Sequence, residues 1–294
     1  MTQVKVSAKM VKELRDRTGL GMMECKKALE ESNGDVETAI DNLRKSGQAK
    51  AAKKAGNIAA DGAIIIAQAG NKSLLLEVNC QTDFVAKDDS FTAFAEKVAN
   101  IAIENDTTDV TVIADLPYGD GQTVEEARVS LVQKIGENIQ IRRAETIEGA
   151  NLASYRHGLR IGVVVSFEGG TAETGKNLAM HIAAFNPVAV DDESVDADVL
   201  AREKDIIDAK ARESGKPDNI VEKMIEGGLR KYLDEVTLLR QPYVMDNEKK
   251  VGDVLKAEGV KVLGFKRLEV GEGIEKKQED FAAEVAATQA AANQ

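Results

Sequence analysis

The sequence predicts a multidomain α+β protein, and three observations lead to this fold class. The chain has 294 residues, which is more than one domain of about 100–200 residues usually holds. Helical periodicity near the N-terminus gives way to β-rich runs and then returns. A strand followed by a helix occurs twice, which suggests two related α+β core subdomains.

Residues 1–57 predict an N-terminal three-helix domain with a basic linker. Ser7 and Asp35 are residue types that cap helices, and the apolar positions after each of them repeat at helical spacing. Gly47 is expected to close the third helix. The predicted basic linker that follows, residues 48–57, reads QAKAAKKAGN.

Residues 58–150 predict the first core subdomain. The run GAIIIAQAGNKSLLLEVN contains two strands around Gly70-Asn71, which is a hairpin signal. A loop is predicted over CQTDFVAKDD, followed by a helix that carries Phe91 and Phe94 on one side. Residues 106–125 are polar and contain glycine, so a loop is expected there, and a further helix is predicted over EEARVSLVQKIGENI.

The second core subdomain is predicted to consist of two separate pieces, residues 151–190 and 239–273. The run RIGVVVSFEGG predicts a strand, TGKNLAMHIAAF predicts a helix, and VKVLGFKRLEVGEG returns as a strand. A C-terminal helical module is expected over residues 274–294, with Phe281 and Val285 on its apolar side.

A charged insertion, residues 191–238, separates the two pieces of the second subdomain. Two helical patterns flank the turn signal SGKPD, so they predict an antiparallel coiled-coil hairpin. Each helix carries one narrow apolar stripe, so the seam between them should be thin. The predicted seam positions are Val195, Val199, Ile206, Val221, Ile225, Leu229 and Tyr232.

Composition and charge exclude several classes of protein. The net charge of −11 disfavours general nucleic-acid binding, which depends on the release of counterions from phosphates. Cys25 and Cys80 are far apart and lie among apolar residues, so we expect two buried thiols. The N-terminus lacks the apolar run of a signal peptide, and no stretch approaches about 18 apolar residues. A soluble cytoplasmic protein is expected.

An enzyme is the first alternative that the residues leave open. Residues 170–177 read GTAETGKN, which matches a phosphate-binding loop between a strand and a helix. The eighth position is Asn177, where such a loop needs a hydroxyl group for Mg²⁺. A glycine-rich turn capped by Thr171 or Thr174 is therefore the favoured interpretation.

The two histidines predict no catalytic or metal site. His181 lies on the apolar face of a predicted helix, so we expect it to be buried and hydrogen-bonded. His157 stands beside two arginines and is expected on the surface, where it is available as a contact. Neither histidine has cysteine or acidic neighbours at metal-ligand spacing, so no catalytic residue, metal or cofactor is predicted.

DNA binding by the N-terminal helices is the second alternative, but acidic residues interleave with the basic ones there. Met22 and Met23 are adjacent at a helix start, so one helix face does not bury both equally, and an exposed methionine is an adaptable protein contact. Phe84 follows a predicted strand and stands beside Asp83. The sequence leaves open whether its ring packs in the core or forms a surface contact. In combination, these features favour a surface that binds another protein.

Long segments of the chain resemble the bacterial elongation factor Ts family. They include VKELRDRTGLGMMECKKALEESNGDVETAIDNLRKSG, LEVNCQTDFVAKDDSF, SYRHGLRIGVVV, MHIAAFNP, SGKPDNIVEKM, QPYVM and FKRLEVGEGIEKKQEDFAAEVA. The similarity runs in order from Val11 to about residue 287. The clearest departure is residues 104–123, which are longer here than is usual in the family.

The resemblance implies a guanine-nucleotide exchange factor for elongation factor Tu, without covalent catalysis. It also implies a UBA-like N-terminal domain, two related core subdomains, a coiled-coil hairpin and a C-terminal module. No cofactor, nucleic acid or membrane is implied as a partner. A homodimer or a 2:2 complex through the hairpin stays open, because apolar positions alone do not distinguish an intramolecular seam from a dimer seam.

The resemblance further implies a set of partner-binding residues. A segment that enters the partner's GTPase domain near its magnesium site corresponds to Thr82, Asp83, Phe84 and Val85. Contacts from the N-terminal domain correspond to Arg15, Met22 and Met23, and a contact from the second core subdomain corresponds to His157.

Overall fold

The structure is a computed structural model that describes residues 6–275, and its fold is α+β as predicted. The chain begins with three helices, α1 (Ala8–Thr18), α2 (Met22–Glu31) and α3 (Val36–Lys54). The Ser7 hydroxyl caps α1 by accepting from the Met10 N–H, and the Asp35 carboxylate caps α3 by accepting from the Thr38 N–H. These helices enclose a small apolar core that includes Leu14, Cys25, Leu29 and Ala39.

The predicted basic linker is wrong, because α3 continues through it to Lys54. The segment is rich in alanine and lysine, which favour helix. Gly47 is buried inside the helix instead of closing it, at the crossing with a later helix, α7 (Val124–Ile135). A Cβ atom at Gly47 would lie 2.4 Å from the Gln133 side-chain oxygen of α7. The glycine therefore allows the two helices to approach closely.

The first sheet has three antiparallel strands in the order β1-β2-β5. The predicted hairpin is confirmed as β1 (Asp61–Ala69) and β2 (Lys72–Cys80), which meet at Gly70, where φ is +58°. The third strand, β5 (Gln140–Glu148), was not predicted. It is an edge strand with half-buried residues and a largely charged sequence, so it lacks an apolar strand signal.

Helices cover one face of this sheet and supply most of the largest apolar core. They are α4 (Asp83–Ala86), α5 (Asp89–Glu104), α6 (Val110–Asp115) and α7. The loop predicted over residues 106–125 is wrong, because it contains α6 and a small hairpin, β3 (Pro117–Gly119) and β4 (Gln122–Thr123). Asp109 caps α6 and Ile113 is buried beneath it, but elements this short leave little periodicity in a sequence.

The second sheet also has three antiparallel strands, in the order β10-β7-β6. The predicted strands are confirmed as β7 (Ile161–Glu168) and β10 (Lys261–Glu269), and the predicted helix as α8 (Ala172–Phe185). The edge strand β6 (Asn151–His157) was not predicted. A short hairpin, β8 (Pro242–Tyr243) and β9 (Asp246–Lys250), and helix α11 (Val251–Glu258) complete this part of the fold.

The two sheets pack against each other through a shared apolar cluster. Ile64 and Leu75 of the first sheet meet Val164 and Leu268 of the second. A Cβ atom at Gly162 would lie 2.4 Å from the Ile64 side chain, so the glycine permits this close contact. The two sheets are therefore joined by side-chain packing as well as by the chain.

The inserted hairpin is confirmed as α9 (Ala197–Glu213) and α10 (Asp218–Val236), although its seam differs from the prediction. Val195 and Val221 are buried as predicted, whereas Val199 and Ile206 are exposed and Ala211 is buried in addition. Ile207 takes the seam position next to Gly228, where a Cβ atom would lie 2.7 Å from the Ile207 side chain. The C-terminal module, with Phe281 and Val285, lies outside the described residues. Within residues 6–275, none of the helices has the length and apolar character needed to span a membrane.

Candidate partner-binding site

The segment that contains Phe84 is one helical turn, not the loop that was predicted. Strand β2 ends at Cys80, and α4 begins at Asp83 with Thr82 as its cap. The Thr82 hydroxyl accepts a hydrogen bond from the Val85 N–H at 3.4 Å. Asp88 then caps α5 by accepting from the Ser90 N–H at 2.8 Å. Caps on both sides hold the turn between the sheet and α5.

The Phe84 ring lies on the surface, with 82% of the residue exposed. The next two residues of the turn face inward, because Ala86 is buried and Val85 packs against the first core. This exposure decides between the two interpretations left open by the sequence, in favour of a surface position. Aromatic residues are enriched in protein–protein interfaces, so the exposed Phe84 ring is a candidate contact.

Asp83 lies beside the ring and is also exposed. Its carboxylate forms an ion pair with Lys87, one helical turn further on, at 2.8 Å. The hydrogen bond from Lys87 lowers the pKa of Asp83 below its ordinary value. The turn therefore presents an aromatic ring beside the ionised Asp83 carboxylate, which is paired with Lys87 at neutral pH.

Thr82 anchors the turn to the fold through Glu137, a residue that follows α7. The Thr82 N–H and hydroxyl donate to the two Glu137 carboxylate oxygens at 3.1 and 2.7 Å. The Gln81 N–H donates to the same carboxylate at 3.0 Å. Sequence reasoning missed Glu137, because it lies 55 residues from Thr82 and no pattern in the chain links the two.

Cys80 adds a further contact to the anchor. Its thiol donates to the Thr82 carbonyl oxygen at 3.2 Å. Burial raises the pKa of this thiol to about 12, so it stays protonated and acts as a donor. Cys25 is also buried, and the prediction of two buried thiols is confirmed.

The N-terminal residues implied by the resemblance lie on the surface. Met22 and Met23 are 59% and 75% exposed at the start of α2, and Arg15 is exposed on α1. Burial of both methionines was an open alternative, and the structure excludes it. The next residue, Glu24, accepts hydrogen bonds from Lys50 and Gln133.

The two histidines behave as their sequence contexts predict. His157 is exposed at the end of β6, and its Nδ1 lies 3.3 Å from the Tyr155 hydroxyl. His181 is fully buried, with its Nε2 atom 3.0 Å from the Gln241 side-chain oxygen. Its Nδ1 atom accepts from the Val244 N–H at 3.2 Å. His181 therefore has a structural position, whereas His157 is available to a partner.

The residues of the segment that resembles a phosphate-binding loop cap a helix and pack within the fold. Thr171 caps α8, in agreement with the favoured interpretation. The Thr174 hydroxyl donates to the Glu258 carboxylate at 2.7 Å. A Cβ atom at Gly175 would lie 2.5 Å from the Phe167 ring, so this glycine is required for packing. The arrangement gives no support to a nucleotide site here.

Several basic residues of the N-terminal helices form ion pairs with acidic residues, which gives no support to a continuous DNA-binding face. The ion pairs are Arg17–Glu37, Lys26–Glu30, Lys27–Glu31 and Lys50–Glu24. Among residues 6–275, no group of three or more histidine, cysteine or acidic side chains is arranged to hold a metal ion. The exposed Phe84 turn and the Met22-Met23 helix start are thus the main candidates for partner contacts.

Comparison with known proteins places this fold in one family. A family model described as "Elongation factor TS" matches residues 81–272. The protein named elongation factor Ts in Psychrobacter cryohalolentis is 89% identical over 293 residues, which cover 100% of both chains. The protein of the same name in Acinetobacter baumannii is 69% identical over 288 residues, or 98% of this chain and 99% of that one. The chain therefore belongs to the elongation factor Ts family, a family of translation elongation factors.

Proposed function

We propose that this chain is a guanine-nucleotide exchange factor for elongation factor Tu. It binds the Tu·GDP complex, promotes GDP release and so allows GTP to reload, without covalent catalysis. Membership of the elongation factor Ts family supports this function. The observation that supports assigning this function to particular residues is the exposed Phe84 ring. It lies on a turn that is capped and hydrogen-bonded to Glu137.

The proposed mechanism disturbs the magnesium and phosphate site of the partner. A GTPase holds GDP through ordered loops and a magnesium ion. The Phe84 ring enters between two elements of the GTPase domain and separates them, while the Asp83 charge disfavours the local arrangement of phosphate and metal. Thr82 and Val85 hold the turn in place from below. This segment is therefore the proposed magnesium-dislocation element.

Thermodynamic coupling indicates how much binding free energy the contact surface with elongation factor Tu must supply. If the factor binds nucleotide-free Tu more tightly than Tu·GDP, then GDP must bind the complex more weakly by the same ratio. A thousandfold loss of GDP affinity takes about 4 kcal/mol of differential binding. Full burial of one phenylalanine supplies about 1.5–3 kcal/mol. Further contacts are therefore required, and we assign them to Arg15, Met22, Met23 and His157.

The proposal includes the division of the chain that was predicted from the sequence. The domains are residues 1–57, 58–150, 151–190 with 239–273, the hairpin at 191–238, and the module at 274–294. We propose a cytoplasmic location and no bound cofactor. Pairing of two copies through the hairpin is compatible with the exposed Val199 and Ile206, which stand seven residues apart on one face of α9.

Fluorescent-GDP release from purified elongation factor Tu tests the function. We expect the intact chain to accelerate release strongly, and Phe84→Ala to slow release more than it weakens binding of nucleotide-free Tu. Val112→Ala is the matched control, because Val112 is another exposed apolar residue, outside the proposed contacts. No acceleration by the folded intact chain would refute the exchange function. Equal losses of rate and binding in Phe84→Ala would refute the wedge.

A further inference from the structure

We propose that the C-terminal end of α7 and the residues that directly follow it form a bracket that positions both main contact segments. We define the α7 bracket as Gln133, Glu137 and Asn138. It holds the Phe84 turn on one side and the Met22-Met23 helix start on the other. The inference rests on the exchange function proposed above and names the positioning residues for it.

Glu137 holds the Phe84 turn by its backbone. One carboxylate oxygen accepts from the N–H groups of Gln81 and Thr82, at 3.0 and 3.1 Å. The other oxygen accepts from the Thr82 hydroxyl at 2.7 Å. Hydrogen bonds to a charged acceptor are stronger than neutral ones. Three of them converge on the two residues that precede Asp83, so they fix the direction in which the Phe84 side chain leaves the fold.

Asn138 ties the same turn to the end of α3. Its N–H donates to the Gln81 side-chain oxygen at 2.8 Å. Its side-chain amide donates to the Asn57 carbonyl oxygen at 2.8 Å and to that of Ala55 at 3.4 Å. Asn138 is only 1% exposed, so these bonds are shielded from water. The residues that follow the three N-terminal helices are thereby attached to the base of the Phe84 turn.

Gln133 holds the Met22-Met23 helix start. Its amide donates to the Glu24 carboxylate at 2.8 Å, and Lys50 of α3 donates to the same oxygen at 2.5 Å. Glu24 is the residue that follows Met23. The buried Gly47 lets α3 lie directly against Gln133 at this crossing. The start of α2 is therefore attached to α7 as well as to its own small core.

Both anchors belong to one short, continuous segment, residues 133–138. Gln133 lies in the last turn of α7, and Glu137 follows the helix end at Gly136, which adopts the left-handed conformation with φ of +86°. Neither residue contacts the partner in the proposal, and both act through the groups they hold. A fixed spacing between two contact segments lowers the entropy that must be lost when they bind together. Release of one anchor should therefore loosen one segment and leave the other in place.

Single-tryptophan reporters test the bracket in the full chain, which contains no natural tryptophan. Phe84→Trp places a reporter on the turn, and Met23→Trp places one at the start of α2. Each reporter is combined with Glu137→Ala, with Gln133→Ala, and with Glu96→Ala as a control. Glu96 is an exposed residue of α5 outside the bracket. Time-resolved fluorescence anisotropy then reports the local mobility of each tryptophan.

We expect a crossed pattern of mobility. Glu137→Ala should increase the mobility of Trp at position 84 but not at position 23, and Gln133→Ala should do the reverse. The control should change neither. Equal changes at both positions, or no change at either, would overturn the bracket. Because Glu137→Ala removes three hydrogen bonds and could disturb folding, Glu137→Gln provides a second variant with the same size, for which an intermediate mobility at position 84 is expected.

Exchange kinetics test whether the bracket affects GDP release. Glu137→Ala should lower the GDP release rate at saturating factor by about tenfold or more, as expected when a charged acceptor for several hydrogen bonds is lost. Gln133→Ala should instead raise the concentration of factor that gives half-maximal GDP release. The release rate at saturating factor should stay within about twofold of that of the parent chain, which is a small change in free energy. A uniform loss of rate and affinity in both variants would overturn the inference. If the parent chain fails to accelerate release, the exchange function fails, whereas the anisotropy pattern still decides the bracket.

Discussion

At the scale of single residues, the exposure of Phe84 separates its proposed binding role from any folding role. The residue is 82% exposed, so truncation to alanine removes few contacts within the fold. Surface substitutions of this kind change the free energy of unfolding by no more than about 0.5 kcal/mol. A loss of exchange in Phe84→Ala therefore reports on the partner interface and not on stability.

The burial of His181 predicts that the free energy of unfolding depends on pH through this residue. Burial lowers the pKa of His181, and the hydrogen bond to Gln241 offsets this only in part. The folded state therefore binds fewer protons than the unfolded state, where histidine titrates near about 6.5. The His181 contribution is fully present above that value and is lost as the pH falls from it towards the lower folded pKa.

The prediction is a decrease in the thermal unfolding midpoint as the pH is lowered from 7 towards 5, and a weaker decrease in His181→Phe. Phenylalanine has a similar planar ring and keeps the stacking with Phe185, whose ring centroid lies 4.6 Å from that of the imidazole. It loses the hydrogen bonds to Gln241 and the Val244 N–H, so the slopes with pH are compared and not the absolute stabilities. His157→Phe is the control, because His157 is exposed. The same slope in wild type and His181→Phe would show that other groups cause the dependence.

At the scale of elements, the sequence predicted those with strong periodicity and missed those that depend on tertiary context. Both core hairpin strands of the first sheet and the hairpin helices followed from apolar patterns. The edge strands β5 and β6 did not, because half-buried strands lack a continuous apolar run. The extension of α3 was missed because Gly47 was interpreted as a helix end, although it serves a helix crossing with α7.

The inserted hairpin offers a matched pair of glycines within one helix, α10. A Cβ atom at Gly227 would meet nothing within 4 Å, whereas one at Gly228 would lie 2.7 Å from the Ile207 side chain. Alanine is favoured over glycine in an exposed helix interior by about 1 kcal/mol. Gly227→Ala should therefore stabilise the hairpin by up to this amount, while Gly228→Ala should lose the gain to a clash in the seam.

Native-state hydrogen exchange of the α9 and α10 amides measures this difference directly, because the hairpin can open without the core. Protection should increase in Gly227→Ala and stay level or decrease in Gly228→Ala. An equal increase in both variants would mean that the seam yields easily to the added methyl group, and that Gly228 is not needed for the approach of the two helices.

At the scale of the whole molecule, the candidate site was only partly predictable. The sequence indicated Phe84, Met22 and Met23 as candidate contacts from their positions at the starts of elements, but it left their burial open, and the structure shows that they are exposed. The residues that hold these contact segments in place were not predictable from the sequence. The bond between Thr82 and Glu137 spans 55 residues, and that between Gln133 and Glu24 spans 109. Such pairs arise from the packing of α7, and no local pattern encodes them.

The two core sheets are also joined by one buried carboxylate, that of Glu77 on β2. It accepts from Arg142 at 3.0 Å, from Arg143 at 2.6 Å and from the Gly271 N–H at 2.8 Å. Gly271 lies just after β10, so the carboxylate connects the first sheet to the end of the second. Burial raises the pKa of Glu77, but the bonds from Gly271 and the arginines outweigh it and leave the pKa below the ordinary value.

Glu77→Gln should therefore lower the free energy of unfolding at pH 7 by an amount on the order of 3 kcal/mol, because it removes the charge from a fully buried acceptor and leaves the partly buried arginines without their charged partner. Glu145→Gln is the matched control. Glu145 pairs with Lys266 at 2.8 Å between strands β5 and β10, but both side chains are more than a third exposed, so a loss below about 1 kcal/mol is expected.

Urea unfolding of the wild type and both variants at a series of pH values checks this prediction. The folded pKa of Glu77 is depressed, so its contribution is complete above the unfolded value of about 4.3 and is lost as the pH falls through the lower folded pKa. The difference between wild type and Glu77→Gln should accordingly be constant from pH 7 to 5 and shrink in stronger acid. Equal destabilisation by Glu77→Gln and Glu145→Gln would show that burial gives the Glu77 ion pairs no greater weight than the exposed Glu145–Lys266 pair.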